Sequence, residues 1–457
     1  MRIGLDFGTT NTSAAVVIDG APQVLPLDPA SLTPEILRSA LFLTRPDAAS
    51  GGPSVPYLGR EAIDRFTHAN VGRVIDYQLK FIGTTDILLG DLPSISQAMY
   101  SEVDMNAPGR LFQSLKTEMR SRAYEGTSVF GVRYSIEMLV GTLLREIAGR
   151  IERLTGEPIT AITIGRPVRY SEDAGENDLA FERMRAACAF AGLPDAQFLE
   201  EPSAAALAYL RDSARAETVM VFDFGGGTFD VTLLRADGAG RARTLATAGV
   251  PVGGELFDQR LTLGRLLDHF GQGATMQTVM GGPRMPVPNH ILRMLGDWET
   301  IVELSRREHM ETIELMVSTG DRPIQLRALR DLVRHNFGLP FYEKVEQAKV
   351  TLSAAERARF RMEMGDIFIS DTIRRIEFER LIGPDARRVD ACMDEALAQA
   401  GLRATDVDVV LRTGGSSRIP LFQRLLAAKF GESRLREIDA FTSVAAGLAI
   451  AAAQPGE

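Results

Sequence analysis

The chain has 457 residues, 45% hydrophobic and 24% charged, enough for two or more domains with cores of their own and ordinary for a soluble globular protein. A net charge of −9 argues against a nucleic-acid or anionic-membrane partner, and the longest apolar run, Val444–Ala453, is too short to span a bilayer. The two cysteines, Cys188 and Cys392, read as small buried hydrophobes in a reducing cytoplasm, and Asp6 and Asp19 fall where a secretory signal would need apolar residues.

In chain order, a strand over Ile3–Asp6 leads into the turn Phe7-Gly8-Thr9-Thr10-Asn11 and a second strand, Ser13–Ile18. Pro22–Gly59, rich in Pro, Ser and Gly, predicts edge strands and loops, and Ile82–Gly109 reads as polar and irregular. An amphipathic helix covers Ile136–Leu154 and stops at Gly156; a strand follows over Ala161–Ile164. The next helix, Asp178–Ala191, is ended by Gly192 and Pro194, and the Ala-rich segment Pro202–Arg211 suits close helix packing. Strands Thr218–Phe222 and Val231–Leu234 flank a second glycine turn. Phe270–Leu339 mixes the loop Gly281-Gly282-Pro283 with helical pieces such as Asp297–Met316 and reads as an insertion with Trp298 as its core anchor. A helix over Phe341–Phe360, a strand over Val407–Leu411 and a helix starting near Ile419-Pro420 complete the alternation, which implies an α/β architecture with antiparallel hairpins added to each sheet.

Gly4–Asn11 and Val221–Asp230 look like two copies of one device: an apolar strand, an Asp, an aromatic residue, then Gly and Thr. Glycines let a backbone approach a polyphosphate, successive N–H groups form an anion nest, and an Asp at a strand end can hold a hydrated metal. Two such devices suggest two lobes closing on one nucleotide: residues 1–213, with 435–457 packing back on them, and residues 214–434 with the insertion at about 270–339. Gly414-Gly415, at the end of a strand, offers a flat surface to a base.

Five segments in order, DFGTTN, EEPSAAALAYL, FDFGGGTFDVTLL, VGGELFDQRL and TGGSSRIPLFQRLL, resemble the ATPase domain of the Hsp70 chaperone family, within the actin/sugar-kinase/Hsp70 superfamily. The resemblance runs from residue 5 to residue 426 and implies an actin-like ATPase (ribonuclease H-like) fold, two lobes about a central nucleotide cleft. It implies that Asp6 and Asp223 hold Mg2+ through water, that Gly8, Thr9, Thr10 and Asn11 form one phosphate loop, and that Gly225, Gly226, Gly227 and Thr228 form the other. Glu201 matches the acid that orients water near the γ-phosphate, although an acid at a helix N-terminus is also what the helix dipole favours. Gly253, Gly254 and Glu255 match the ribose-side loop; Glu346, Lys349 and Ser353 the adenosine-contacting helix; and Gly414, Gly415, Ser416 and Arg418 the adenine-side turn. Lys349 reads equally as half of an exposed i,i+3 pair with Glu346. Pro167 matches the proline that senses nucleotide state, and Lys116 is the candidate for the family's phosphate lysine, with Lys80 as its rival. ATP and ADP, Mg2+ and, as a further candidate, K+ are the implied cofactors; the five histidines carry no ligand pattern.

Three departures qualify the match. Val350 stands where the family has an arginine that stacks on the base, and Asp439-Ala440-Phe441 replaces an Asn-Pro-Asp run. The chain also stops where the family continues into a linker and a peptide-binding sandwich, as in the short, DnaK-like, YegD-type subgroup. The expected function is a slowly hydrolysing, Mg-dependent, cytoplasmic ATPase switch, monomeric and acting on a protein client or with a co-chaperone. The alternatives are a small-molecule, sugar-type kinase, which needs an acceptor pocket with a base, and an actin-like filament protein, which would polymerise with nucleotide.

Overall fold

The computed structural model describes the chain except residues 47–53, 76, 88–94, 172, 194, 212–214, 239–241, 279–281, 438–441 and 454–457, and except the side chains of 79–103. The described chain divides into two compact units, Met1–Arg65 with Gly109–Phe257 and Ile382–Glu457, and Phe66–Pro108 with Asp258–Leu381. The readings made on Pro194, Gly281, Asp439–Phe441 and the Lys80 side chain lie outside the described residues.

The first unit begins with β1 (Arg2–Phe7), β2 (Asn11–Ile18), β3 (Ala21–Val24), β4 (Leu37–Arg38), β5 (Leu41–Thr44), β6 (Pro56–Leu58) and helix α1 (Gly59–Asn70), which runs on into the second unit. In the second unit, β7 (Tyr77–Ile87) and β8 (Ile95–Asp104) pair as an antiparallel hairpin. The irregular segment expected over Ile82–Gly109 is therefore mostly strand; its polar residues hide the signal because the pair supplies its own backbone hydrogen bonds without a long apolar run. The first unit resumes with β9 (Gly109–Phe112), α2 (Leu115–Glu118), β10 (Gly126–Val129), β11 (Val132–Ser135), α3 (Ile136–Thr155), β12 (Ala161–Arg166), α4 (Ala174–Phe190), β13 (Gln197–Glu200) and α5 (Glu201–Leu210). It continues with β14 (Thr218–Phe224), β15 (Phe229–Ala236), β16 (Ala242–Val250) and α6 (Gly254–Leu261), the last again passing into the second unit.

The second unit then adds β17 (Thr275–Gln277), β18 (Arg284–Pro286), α7 (Asn289–Arg293), α8 (Trp298–Glu303), α9 (Arg307–Thr319), α10 (Pro323–Arg334), α11 (Gly338–Ala354), β19 (Arg357–Met364) and β20 (Ile367–Arg374). Helix α12 (Arg375–Ala400) returns to the first unit, which closes with β21 (Val409–Thr413), α13 (Pro420–Phe430), β22 (Leu435–Glu437) and α14 (Ser443–Ala453). Two boundaries differ from expectation. The helix expected to reach Phe360 stops at Ala354, because Arg357–Met364 alternates exposed and buried residues and pairs with β20. The helical piece Asp297–Met316 breaks into α8 and α9, and Trp298 is a half-buried residue packed edge-on against Phe66.

Within the first unit, two sheets repeat one topology. The first has the order β13-β12-β1-β2-β3, with β4 also on β2; the second has the order β22-β21-β14-β15-β16. In each, a parallel neighbour flanks the first strand of an antiparallel hairpin. Ile3, Leu5, Phe7, Ala14 and Val16 join α3 and α4 in one buried cluster that includes Leu139, Leu143, Ile147 and Met184. The opposite face of the same hairpin carries Ala15, which packs with Ala445 and Ala449 of α14. Helix α14 approaches closely because its partners are small: a Cβ on Gly4 would lie 2.1 Å from the Ala449 nitrogen, and one on Gly447 would lie 1.7 Å from the Ala204 carbonyl oxygen in α5. Helix α3 begins with a Ser135 cap on the Met138 N–H and ends at Gly156, whose φ of 74° is left-handed.

Candidate functional site

The two hairpins superimpose by register. Asp6 pairs with Ser13 and Phe7 with Thr12; Asp223 pairs with Asp230 and Phe224 with Phe229. The turns close alike, Gly8 N–H donating to the Asn11 carbonyl at 3.0 Å and Gly225 N–H to the Thr228 carbonyl at 3.1 Å. Asp6 and Asp223 thus occupy equivalent positions, one residue before the end of each strand.

The two turns meet. A Cβ on Gly226 would lie 2.1 Å from Thr10 Oγ1, and one on Gly227 would lie 3.2 Å from Thr9 Oγ1. The loop before α6 rests on the second turn: Gly254 N–H donates to the Gly225 carbonyl at 3.1 Å and Glu255 N–H to the Gly226 carbonyl at 2.9 Å. A Cβ on Gly253 would lie 2.2 Å from the Gly226 carbonyl oxygen, so that contact requires glycine. Ser416 Oγ donates to the Gly225 carbonyl at 2.9 Å. Gly414, at φ 78°, turns its Cβ side toward the Phe224 carbonyl, so its first service is to let β21 end against β14. Gly415 opens the 3-10 turn that leads to α13, and Arg418 lies 3.3 Å from Glu437. Glu346, Lys349 and Ser353 lie on α11 in the second unit, where Lys349 Nζ donates to Asp258 Oδ2 at 2.6 Å. Val350 is 60% exposed on the same helix.

Lys116 is nearly inaccessible on α2, and its Nζ donates to Glu201 Oε1 at 2.6 Å. Burial pushes the ammonium down, but the Glu201 carboxylate, with Tyr170 and Asp6, holds it above its ordinary value. Burial raises Asp6 to about 7, with Glu201 adding to the rise and Lys116 opposing it. Asp223 is pushed well above the usual carboxylate range, chiefly by burial and then by Glu201, Asp230 and Asp6. Asp230 rises to about 7 by burial and by Glu201, although Thr228 Oγ1 donates to its Oδ2 at 2.9 Å. Its Oδ1 is buried without a hydrogen-bond partner. All three carboxyls resist ionisation and one keeps an orphaned oxygen, yet among the described residues no group of three or more His, Cys, Asp or Glu side chains is gathered to ligate a metal directly, so any ion there would be held through water. Beside them Arg166 donates to Glu200 Oε1 at 2.9 Å and to the carbonyl of buried Pro167 at 3.2 Å.

Several supporting residues carried no role in the sequence reading. Asp230 was legible as the second Asp of Phe222-Asp-Phe-Gly-Gly-Gly-Thr-Phe-Asp230, aligned by the repeat with Ser13. Ser39, whose hydroxyl donates to the Gly8 carbonyl at 2.8 Å and whose N–H donates to the first loop's Thr10 carbonyl at 2.9 Å, and Ser114 carry no local signal, since both act across long loops.

The family model described as Hsp70 protein matches residues 105–278 and 339–454. The chain is similar to the Chaperone protein dnaK of Cyanidioschyzon merolae (24% identity, 98% of this chain, 61% of the relative). It is likewise similar to the Heat shock 70 kDa protein BIP3 of Oryza sativa subsp. japonica (28% identity, 98% and 56%) and the Chaperone protein DnaK of Thermoplasma volcanium (25%, 98% and 57%). The chain therefore spans less than two thirds of the length of the curated relatives it matches. The actin-like ATPase fold expected from the motifs is borne out. Among the described residues no helix is long and apolar enough to cross a membrane.

Proposed function

The chain belongs to the Hsp70 family, and from that premise we propose that it is an ATP-binding, slowly ATP-hydrolysing switch of chaperone type, acting on or with another protein. The observation that carries this reading is the paired hairpin: two glycine turns in contact, each presenting one half-buried Asp at the same register, with the Lys116–Glu201 pair beside them. Phosphoryl transfer asks for positioning and charge neutralisation more than for covalent work by the protein, and these groups supply both.

In this reading the N–H groups of Gly8–Asn11 and Gly225–Thr228 cradle the phosphates from two sides. Asp6 and Asp223 would hold Mg2+ through its water shell, and the ion would supply charge neutralisation to the phosphates. Lys116 Nζ approaches the γ-phosphate, and Glu201, freed in part from Lys116, accepts a hydrogen bond from the attacking water and orients it. Gly253 and Gly254 face the ribose, Gly414, Gly415, Ser416 and Arg418 the base, and Glu346, Lys349 and Ser353 the adenosine. The segments 1–213 with 435–457, and 214–434, are the lobes that open and close with nucleotide state; K+ is a candidate second ion, and the cytoplasm and a monomer are the setting. The chaperone names of the relatives support a protein client or co-chaperone as partner.

The test is hydrolysis of Mg-ATP by the purified chain beside Asp223→Asn. Slow turnover lost in the variant supports the switch. Binding without turnover until a sugar-type acceptor is added favours the kinase, and no ATP binding by the wild type rejects both.

A further inference from the structure

We infer that Glu255 is a positioning residue that ties both phosphate loops to the turn carrying Lys116. The inference rests on the ATPase reading for its kinetic consequence, but the tie itself is geometric. Glu255 Oε1 accepts two hydrogen bonds, from Thr10 Oγ1 at 3.1 Å and from Ser114 Oγ at 2.9 Å. Its own N–H, and that of Gly254, are spent on the carbonyls of Gly226 and Gly225. One short segment therefore holds the second loop through its backbone and the first loop through its carboxylate.

Ser114 shows why the second of those bonds matters. It sits in the left-handed region at φ 50°, ψ 24°, immediately before the single turn of α2. A non-glycine residue keeps such a conformation where its surroundings hold it. The Ser114 hydroxyl makes no capping bond to its own helix; it is turned to Glu255 instead. Lys116 lies two residues further on, and the direction in which α2 leaves Ser114 decides whether its ammonium reaches Glu201. A carboxylate shared by two hydroxyls makes stronger hydrogen bonds than a neutral acceptor would. Separation of the two loops breaks the Thr10 bond and leaves Glu255 with Ser114 alone, so movement of the loops is coupled to the lysine turn. The family resemblance assigns Glu255 to the ribose side; its Oε1 is instead engaged within the protein.

The test uses the full chain as wild type, Glu255→Ala, Glu255→Gln, Ser114→Ala and the Glu255→Ala/Ser114→Ala double variant. Steady-state Mg-ATP hydrolysis is measured together with hydrogen exchange of the backbone amides of residues 113–118 in the nucleotide-free protein. The expected result is a loss of roughly tenfold or more in kcat for Glu255→Ala with KM little changed. Ser114→Ala should lose a similar factor, the double variant should be no worse than the worse single, and Glu255→Gln, whose amide oxygen still accepts, should recover most of the rate. Exchange over 113–118 should quicken in Glu255→Ala and stay near wild type in Glu255→Gln. A Glu255→Ala protein with unchanged kcat and weakened ATP binding overturns the inference in favour of a ribose contact, as does a double variant whose losses multiply. If the wild type neither binds nor hydrolyses ATP, the ATPase reading fails separately. Exchange then decides the tie alone: quickened exchange supports it and unchanged exchange overturns it.

Discussion

Lys116 Nζ and Glu201 Oε1 lie 2.6 Å apart, and both side chains are largely withdrawn from solvent. Removing one member of such a pair strands the other charge, which costs more than the pair itself contributes. Lys116→Ala should therefore lower stability by about 3 kcal/mol and slow hydrolysis more than ATP binding. Joining it to Glu201→Gln should restore most of the stability and none of the activity. Urea unfolding and single-turnover kinetics on the three proteins separate the two effects; unchanged hydrolysis in Lys116→Ala would remove it as the phosphate lysine and return the role to Lys80.

Asp223 is half-buried, and desolvation, with Glu201, Asp230 and Asp6 near it, makes its carboxyl resist ionisation in the absence of a cation. Asp223→Asn replaces a carboxyl that resists ionisation with a neutral group of the same shape, so the fold should hold and the melting temperature of the metal-free protein should not fall. ATP turnover should drop by roughly a hundredfold or more if the residue holds the hydrated metal. Retained turnover would take Asp223 out of the site.

Asp230 supplies a pH signature. Its carboxyl is raised to about 7 in the folded chain, against about 3.9 unfolded. The native state then binds the extra proton, so this group's stabilisation is complete below about pH 4 and is lost as pH rises through about 7. In EDTA, Asp230→Asn should be more stable than wild type at pH 7.5, with the advantage shrinking toward pH 5 and gone by pH 4. Melting curves across that range check the sign, and a pH-independent difference would show that Asp230 ionises normally.

Gly447 tests the α5–α14 contact. A methyl group there would fall 1.7 Å from the Ala204 carbonyl oxygen, against backbone that cannot turn aside. Gly447→Ala should cost about 3 kcal/mol by urea unfolding. Gly149→Ala in α3, where the added Cβ meets only the far end of Arg153 at 3.4 Å, should be neutral or stabilising by up to about 1 kcal/mol.

Local chemistry made much of this legible. The hairpins at Asp6 and Asp223 were readable because each packs an apolar strand, an acid and glycines into about ten consecutive residues, and the cap and the left-handed Gly156 at the ends of α3 are equally local. The helix expected over Phe341–Phe360 overran Ala354 into the first residues of β19, although Arg357–Met364 alternates cleanly, because the helical pattern before it is strong. The β7–β8 hairpin was not legible because its backbone pairing joins two segments across the chain, which no short window shows.

The fold family, the duplicated turn and the identity of the acids and glycines are legible in the chain, since those depend on residue type at short spacing. Packing across the chain, not residue type, is what brings Lys116 to Glu201, buries Asp230 with one orphaned oxygen, and shares Glu255 between Thr10 and Ser114. Those partners are separated by 85, 245 and 141 residues in the pairs that hydrogen-bond, and long-range contacts of that kind are set by packing and burial, which no short window of sequence encodes.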